Sequence, residues 1–566
     1  MIPASGSLSC QRTLGCVLLI ATLVSCTVEE PLPSSGVLIT VDTTNAGALD
    51  VYGKNRGFTP AVSKLATEGL TFDRAYTTAP ITLPAHTSML TGLYPLRHGV
   101  RENGLMRLSP QAETLAERAH EAGFQTAAFV SAMVLAKTYG LDQGFDVYEG
   151  PRQHTQRIGA GITERRSNEV TDAALAWLQQ RDKGRPFFLW VHYFDAHAPY
   201  EPPPKFLQMT GGNNYLGEVA AMDVDIGRLL QALDEEVGKD KLMLALVADH
   251  GESLDRHGES SHGAFCYNPT TKIPFILRFP DGRLAGERRE GLVSVVDLFP
   301  TFLEQLGLGS SSDLDGLNLS LGDVPADRGV YVESYYGYYN FGWSPLGGWV
   351  DDKGKYLHSS KPEYYDLNAD PRESENLFGA QGLDLSRYRD SIAALSNRPR
   401  LLSGGEVELN QEEVLELRKL GYAALGSLEG EGPPDPLEPS TAPAPSDEVE
   451  SYYSFAVATR LQHDGKNEEA EKVLREILER QPKHVAALET LGVVLLELKR
   501  FAESAEYFER TLQVDASRYP SHVHLASAWQ ALGDKQKALK HLRAARLIRP
   551  DEPKLAADIK RLERGL

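Results

Sequence analysis

The chain has 566 residues, 42% of them apolar and 24% charged, which is more than one core usually organises and calls for at least two domains. Its formal net charge of −20 argues against a nucleic-acid binder, because a phosphate backbone is neutralised by a basic footprint. The acidity is uneven: residues 451–566 carry 20 Lys and Arg against 17 Asp and Glu, so residues 1–450 hold 38 against 61, a net of −23.

Residues 1–25 read as a secretory signal, with Arg12 as the lone basic residue and an apolar run from Leu14 to Val24 that is short for a membrane span. The tetrad Leu23-Val24-Ser25-Cys26 resembles a bacterial lipobox. That resemblance implies an exported protein of the cell envelope, facing the periplasm or the exterior, lipid-anchored through Cys26 and touching the membrane by that N-terminal lipid only. A plain signal peptide with an incidental cysteine, or an uncleaved anchor, is the alternative. Cys10 and Cys16 leave with the signal, so no disulfide framework is expected, and Cys266 reads as a small buried apolar side chain.

After a polar tether at 26–35, residues 36–425 alternate β-rich apolar runs with helical patterns, the mark of an α/β domain with a mainly parallel sheet flanked by helices. Four runs, Gly36 to Val41, Thr126 to Ser131, Phe187 to Phe194 and Leu242 to Ala248, have the continuous apolar character of strands buried on both faces. Three lead into aspartates, Asp42, Asp195 and Asp249, which the carboxyl-end rule for open α/β sheets places on one rim. Residues 426–448, rich in Pro, acid and small residues, read as a linker. Beyond them a 34-residue period aligns Ala470, Ser504 and Ala538, and likewise Leu474, Phe508 and Leu542, with Gly492, Val457, Leu491 and Leu525 at helix-packing positions. This is similar to the tetratricopeptide (TPR) family and predicts an all-α solenoid over 449–566, three repeats and a capping helix. Such an array either stabilises the molecule or offers a concave surface to a protein or peptide partner.

The chemistry starts from Asp42, Asp249 and His250. Carboxylates with an imidazole suit Zn²⁺ or Mn²⁺, whereas Ca²⁺ prefers oxygen alone; one or two ions are expected, Zn²⁺ first, with Mn²⁺ or Ca²⁺ as the alternatives. Thr82 stands before Pro84 and an apolar helical run, so it opens a helix whose free N–H groups and dipole favour an anion. A threonine hydroxyl is a weak nucleophile that metal coordination activates.

The string TLPAHTSMLTGLYPLRHG resembles the signature of the sulfatase family in the alkaline phosphatase superfamily, which runs Cys or Ser, x, Pro, x, Arg and on to Leu-Thr-Gly. FFLWVHYFDAHAPYEPP, VVDLFPTFL and EYYDLNADPRESENL resemble further family segments in the same order. Thr82 occupies the nucleophile position, yet threonine cannot yield the formylglycine aldehyde of sulfatases, and His86 replaces the arginine of the modification motif. Thr43 stands where many sulfatases carry a second aspartate, and His250 where asparagine is common. These departures resemble the superfamily's nucleotide phosphodiesterases and phosphoethanolamine transferases. By that resemblance Asp42, Thr82, Asp249 and His250 form the metal site. ADHGESLDRHGESSHG resembles the transferases' DHGESL segment, which implies His262 as a second-site ligand or a contact to the phosphoryl oxygens; DAHAPY at 195–200 resembles the sulfatase segment in which a histidine touches the transferred group, which implies His197 as a general acid for the leaving group. His192, His98 and His257 read as structural.

The resemblance implies a metal-dependent ester hydrolase with a threonine nucleophile, acting on phosphate mono- or diesters or on sulfate esters, with a small ester or an envelope glycan or lipid as substrate. A head-group transferase of the phosphoethanolamine type, or a non-catalytic sulfatase-fold and TPR scaffold, is the alternative.

Overall fold

The apolar runs become strands because the chain covers them on both faces. The computed structural model describes residues 34–53, 56–104, 106–151, 165–401, 404–405, 407, 433–516, 518–548 and 553–564. The predicted signal, Cys26, most of the tether and the first part of the linker lie outside these. Nine strands among the described residues form the main sheet: β1 (Ser35–Val41), β2 (Leu70–Tyr76), β3 (Gln125–Phe129), β4 (Val147–Glu149), β5 (Phe187–Tyr193), β6 (Leu242–Ala248), β7 (Lys272–Ile273), β8 (Phe275–Arg278) and β9 (Arg288–Ser294). Their order is β4-β3-β5-β1-β6-β8-β2-β7, with β9 joined to β2. The run from β4 to β6 is parallel throughout, while β8 and β7 pair antiparallel with their neighbours.

All seven residues of β1, β5 and β6 are buried, as the unbroken apolar runs require. The register aligns their carboxyl ends: Val41 lies opposite Tyr193 on one side and Ala248 on the other. The residues that follow, Asp42 and Asp249, therefore emerge side by side. Helices α1 (Pro60–Glu68), α2 (Thr82–Thr91), α3 (Ser167–Gln180), α4 (Asn214–Glu236) and α5 (Leu298–Leu306) flank the sheet; α4 packs on α1 and α3, and α5 packs on α2, β1 and β6. A smaller antiparallel sheet follows, β10 (Val330–Ser334) to β11 (Leu346–Val350), β12 (Lys355–His358) and β13 (Glu363–Tyr365), with α6 (Tyr336–Phe341) between its first two strands.

The 34-residue period becomes three helix pairs, α7 (Val449–His463) with α8 (Asn467–Arg480), α9 (Val485–Glu497) with α10 (Phe501–Val514), and α11 (Tyr519–Ala531) with α12 (Lys535–Ile548), closed by α13 (Pro553–Glu563). Ala470, Ser504 and Ala538 are fully buried, so small side chains there let paired helices approach. At Gly492 a Cβ would come within 2.7 Å of the Phe508 ring. Leu491 and Leu525 are buried, whereas Val457 is half-buried.

The described part of the predicted linker, 433–448, is a strap laid on the α/β domain. Tyr335 donates to the Pro434 carbonyl at 2.8 Å, the Ser344 N–H donates to the Pro443 carbonyl at 2.8 Å, and Arg400 pairs with Asp435 at 2.7 Å. Proline removes donors and leaves carbonyls, and these carbonyls find partners in the domain. One buried core then runs from the sheet through Phe341, Trp343, Tyr452 and Phe455 to Leu495 in the second repeat. Among the described residues no helix is long and apolar enough to cross a membrane.

Candidate active site

Thr82 is the first residue of α2, preceded by Ile81 in extended conformation. The Leu83 N–H, free of any helical partner at this end, donates to Asn103 Oδ1 at 2.8 Å. Thr82 Oγ1 lies 3.5 Å from Asp42 Oδ2 and 3.4 Å from His250 Nε2. His250 Nε2 in turn lies 3.6 Å from Asp42 Oδ1 and 3.5 Å from Asp249 Oδ2. The structure thus brings Asp42, Thr82, Asp249 and His250 together, and all four are 0% exposed.

The His250 Nδ1–H donates to the Gly251 carbonyl at 3.1 Å, which turns the Nε2 lone pair toward the carboxylates. The ligating atoms of Asp42, Asp249 and His250 all lie within 4.8 Å of one another. Asp42 Oδ1 and Asp249 Oδ2 are buried without a hydrogen-bond partner. Burial raises the pKa of both carboxyls, and the Asp42 charge raises Asp249 further; burial drives His250 well below the usual imidazole range. Paired orphan carboxylates beside an imidazole lone pair form a donor set that fits a divalent cation.

A second triplet, His86, His192 and Asp249, is equally close. Both nitrogens of His86 are engaged, however: Nδ1–H donates to the Thr82 carbonyl at 2.8 Å, and Nε2 accepts from Thr40 Oγ1 at 3.0 Å. His192 Nδ1 accepts the Ser131 N–H at 3.3 Å, so its Nε2–H faces Asp42 Oδ2 at 3.5 Å. These imidazoles, which burial holds near pKa 3, orient the first turn of α2 and a carboxylate. The structural reading of His192 misses this contact with Asp42; only the β5 register to β1 reveals it.

His197 and His262 keep slight exposure, 5% and 6%, at the edge of the cluster. Their rings are 5.1 Å apart, and His262 lies 4.4 Å from His250. His197 Nδ1–H donates to the Ala198 carbonyl at 2.8 Å and leaves a buried, unpartnered Nε2; burial lowers its pKa. Burial also acts to lower His262, but Glu252 at 3.3 Å outweighs it and the net shift is upward. Glu252, held by Tyr200 at 2.9 Å, is a site residue the sequence reading does not single out, although it sits two places after His250 in DHGESL.

The remaining residues singled out in the sequence have other partners. Asp195 leaves the same rim but accepts the Ser167 N–H at 2.6 Å at the start of α3, apart from the cluster. Thr43, at φ +47°, donates to the carbonyl of Ala196, itself at φ +82°, at 2.7 Å. His98 bonds Ser88 at 3.0 Å, and His257 stacks on Tyr267. Cys266 is fully buried in the core.

Residues 35–308 match the family described as Sulfatase, residues 261–387 that described as N-sulphoglucosamine sulphohydrolase, C-terminal, and residues 439–558 that described as Tetratricopeptide repeat. Similar proteins include an N-acetylglucosamine-6-O-sulfatase of Bacteroides thetaiotaomicron, 23% identical over 473 residues that cover 62% of this chain and 84% of that protein. An N-acetylgalactosamine-6-sulfatase of Homo sapiens is 27% identical over 342 residues, 51% of this chain and 65% of that one. Among solved structures, the phosphonate monoester hydrolase of Agrobacterium radiobacter matches with a TM-score of 0.56 at 20% identity, covering 64% of this chain and 95% of that one. A protein solved with its substrate D-glucosamine-2-N,6-O-disulfate matches with a TM-score of 0.55 at 20% identity, covering 64% and 97%. At these identities the structural likeness is one of fold.

Proposed function

With residues 35–308 forming a sulfatase-family domain and residues 439–558 a tetratricopeptide array, we propose that this sulfatase-family hydrolase cleaves phosphate mono- or diesters through a covalent ester of Thr82, with sulfate esters as the related class. The observation that carries the reading is Thr82 Oγ1, a hydroxyl that cannot become an aldehyde, 3.4 Å from His250 Nε2 and 3.5 Å from Asp42 Oδ2. Asp42, Asp249 and His250 would hold a divalent cation, Zn²⁺ by the mixed imidazole and carboxylate donor set; bound there, it would lower the Thr82 hydroxyl pKa and offset charge on a non-bridging oxygen.

Thr82 Oγ1 attacks phosphorus and gives its proton to Asp42 Oδ2, 3.5 Å away, while the ester oxygen leaves with a proton from His262, whose pKa the neighbouring Glu252 raises above the ordinary imidazole value. His197, whose pKa burial lowers and whose Nε2 has no hydrogen-bond partner, accepts the proton of the water that then cleaves the Thr82 ester; Thr82 Oγ1 recovers its proton from Asp42, and the proton on His197 returns to His262 by way of solvent. His86, bonded to the Thr82 carbonyl, holds the nucleophile in place.

The two relatives described above are named for sulfated amino sugars, so an ester borne on a glycan fits this domain. A lipid on Cys26 would set the domain on an envelope membrane, and the repeats would add a protein contact. The discriminating experiment gives the metal-loaded chain nitrophenyl phosphate, bis-nitrophenyl phosphate and nitrophenyl sulfate in turn. We expect a phosphate ester to be turned over faster than the sulfate by about tenfold or more. Preference for the sulfate would reverse the substrate assignment, and no turnover of any ester by metal-loaded protein would favour a scaffold.

A further inference from the structure

His262 sits on the loop 251–265 between β6 and the rest of the domain, and this loop rests on the repeat array. Gly263 is wedged between the residue before the nucleophile and α6: a Cβ there would lie 3.2 Å from Ile81 Cγ2 and 3.4 Å from the Tyr336 ring. Ser334 donates to the Gly263 carbonyl. Two residues on, the Phe265 ring lies 5.8 Å from the Tyr452 ring of α7. Tyr452 also meets Trp343 at 6.2 Å and Phe341 at 5.9 Å, and Phe341 meets Phe455 at 5.6 Å and His484 at 5.2 Å. In the middle of the loop, Gly258 abuts Val449, so that any Cβ there would collide with it. Tyr452 and Phe455 are 6% and 5% exposed, and the strap 433–448 holds α7 against the domain at Pro434, Asp435 and Pro443.

We propose that the first repeat supports the catalytic centre: Tyr452, against Phe265, and Phe455, through Phe341, are positioning residues that hold loop 251–265, and with it His262, against Thr82. This rests on the reading of His262 as the proton donor. The aromatic face of α7 is thereby occupied by the chain's own α/β domain, so a partner protein would engage the array beyond its first repeat. The array braces the loop that carries His262, and the α/β domain is incomplete without it.

The test uses the full chain and compares Tyr452→Ala/Phe455→Ala with the milder Tyr452→Leu, the conservative Tyr452→Phe, and a control in the third repeat, Leu539→Ala. Hydrogen exchange of 251–265 is expected to quicken about tenfold in the double variant, and less in Tyr452→Leu, while β1 and β6 stay protected. On the ester the wild type turns over best, kcat is expected to fall about tenfold or more with KM little changed, and Tyr452→Phe to restore both. Leu539→Ala is expected to loosen the third repeat alone. Unchanged exchange of 251–265 in the folded double variant, or in Tyr452→Leu should the double variant not fold, overturns the proposal. So does an equal loop effect from Leu539→Ala. Should the wild type turn over no ester, the exchange arm still decides the positioning role, and the failure belongs to the functional reading.

Discussion

Thr82→Ala is expected to reduce turnover by about a thousandfold or more while leaving the fold in place. No neighbouring hydroxyl can replace it. Thr43 Oγ1 is committed to the Ala196 carbonyl, Ser88 is tied to Thr78 and His98, and Thr87 donates to the Leu83 carbonyl. The substitution removes a buried hydroxyl and a methyl group at the first turn of α2, a loss of about 1 kcal/mol that a protein of this size tolerates. Thr82→Ser keeps the attacking oxygen and should retain a measurable rate. Steady-state kinetics alongside circular dichroism checks both; a wild-type rate in the alanine variant would remove Thr82 from the mechanism.

Asp249→Asn should have opposite effects on the metal-free and the metal-loaded protein. Asp42 and Asp249 have raised pKa values in the metal-free fold, so between the ordinary carboxylate range and those raised values the folded state binds more protons than the unfolded one. Metal-free stability therefore falls as pH rises through that window. Replacing Asp249 removes one of the two repelling carboxylates, so the metal-free variant should be more stable than wild type at neutral pH and show a flatter pH profile. The same change removes a cation donor, and affinity should drop by more than about 100-fold. Wild type gains about 4 kcal/mol from a cation at a thousand times its Kd, and the variant should lose most of that gain. Thermal melts across pH, with chelator and then with Zn²⁺, read both effects; equal Zn²⁺ stabilisation of variant and wild type would remove Asp249 from the site.

The cluster was legible where chemistry follows directly from a strand end. Asp42 and Asp249 stand one residue past fully buried strands that lie side by side, and Thr82 opens a helix whose start is marked by Pro84. Asp195 follows an equally apolar strand, yet its carboxylate turns to the Ser167 N–H. Nothing in β5 distinguishes it, because that difference depends on where α3 begins. His192 was hidden for a related reason: in a strand buried on both faces the apolar pattern carries no inward and outward alternation, so only the register to β1 shows that the imidazole meets Asp42. Glu252 is identified by Tyr200, which comes from another segment, and by His262, ten residues along the same loop and brought back by its fold. The strap at 433–448 has a linker's composition, and its ordering comes from Tyr335, Ser344 and Arg400, roughly one hundred residues or less upstream, as loop-closing contacts do.

The most direct test of the account is the mass of the peptide carrying Thr82 after acid quench of the metal-loaded chain during turnover of a phosphate ester. One phosphoryl group is expected on Thr82, absent from Thr82→Ala and accumulating when His197 is replaced by Ala. Turnover with no adduct on Thr82, or with the adduct on another residue, would contradict it.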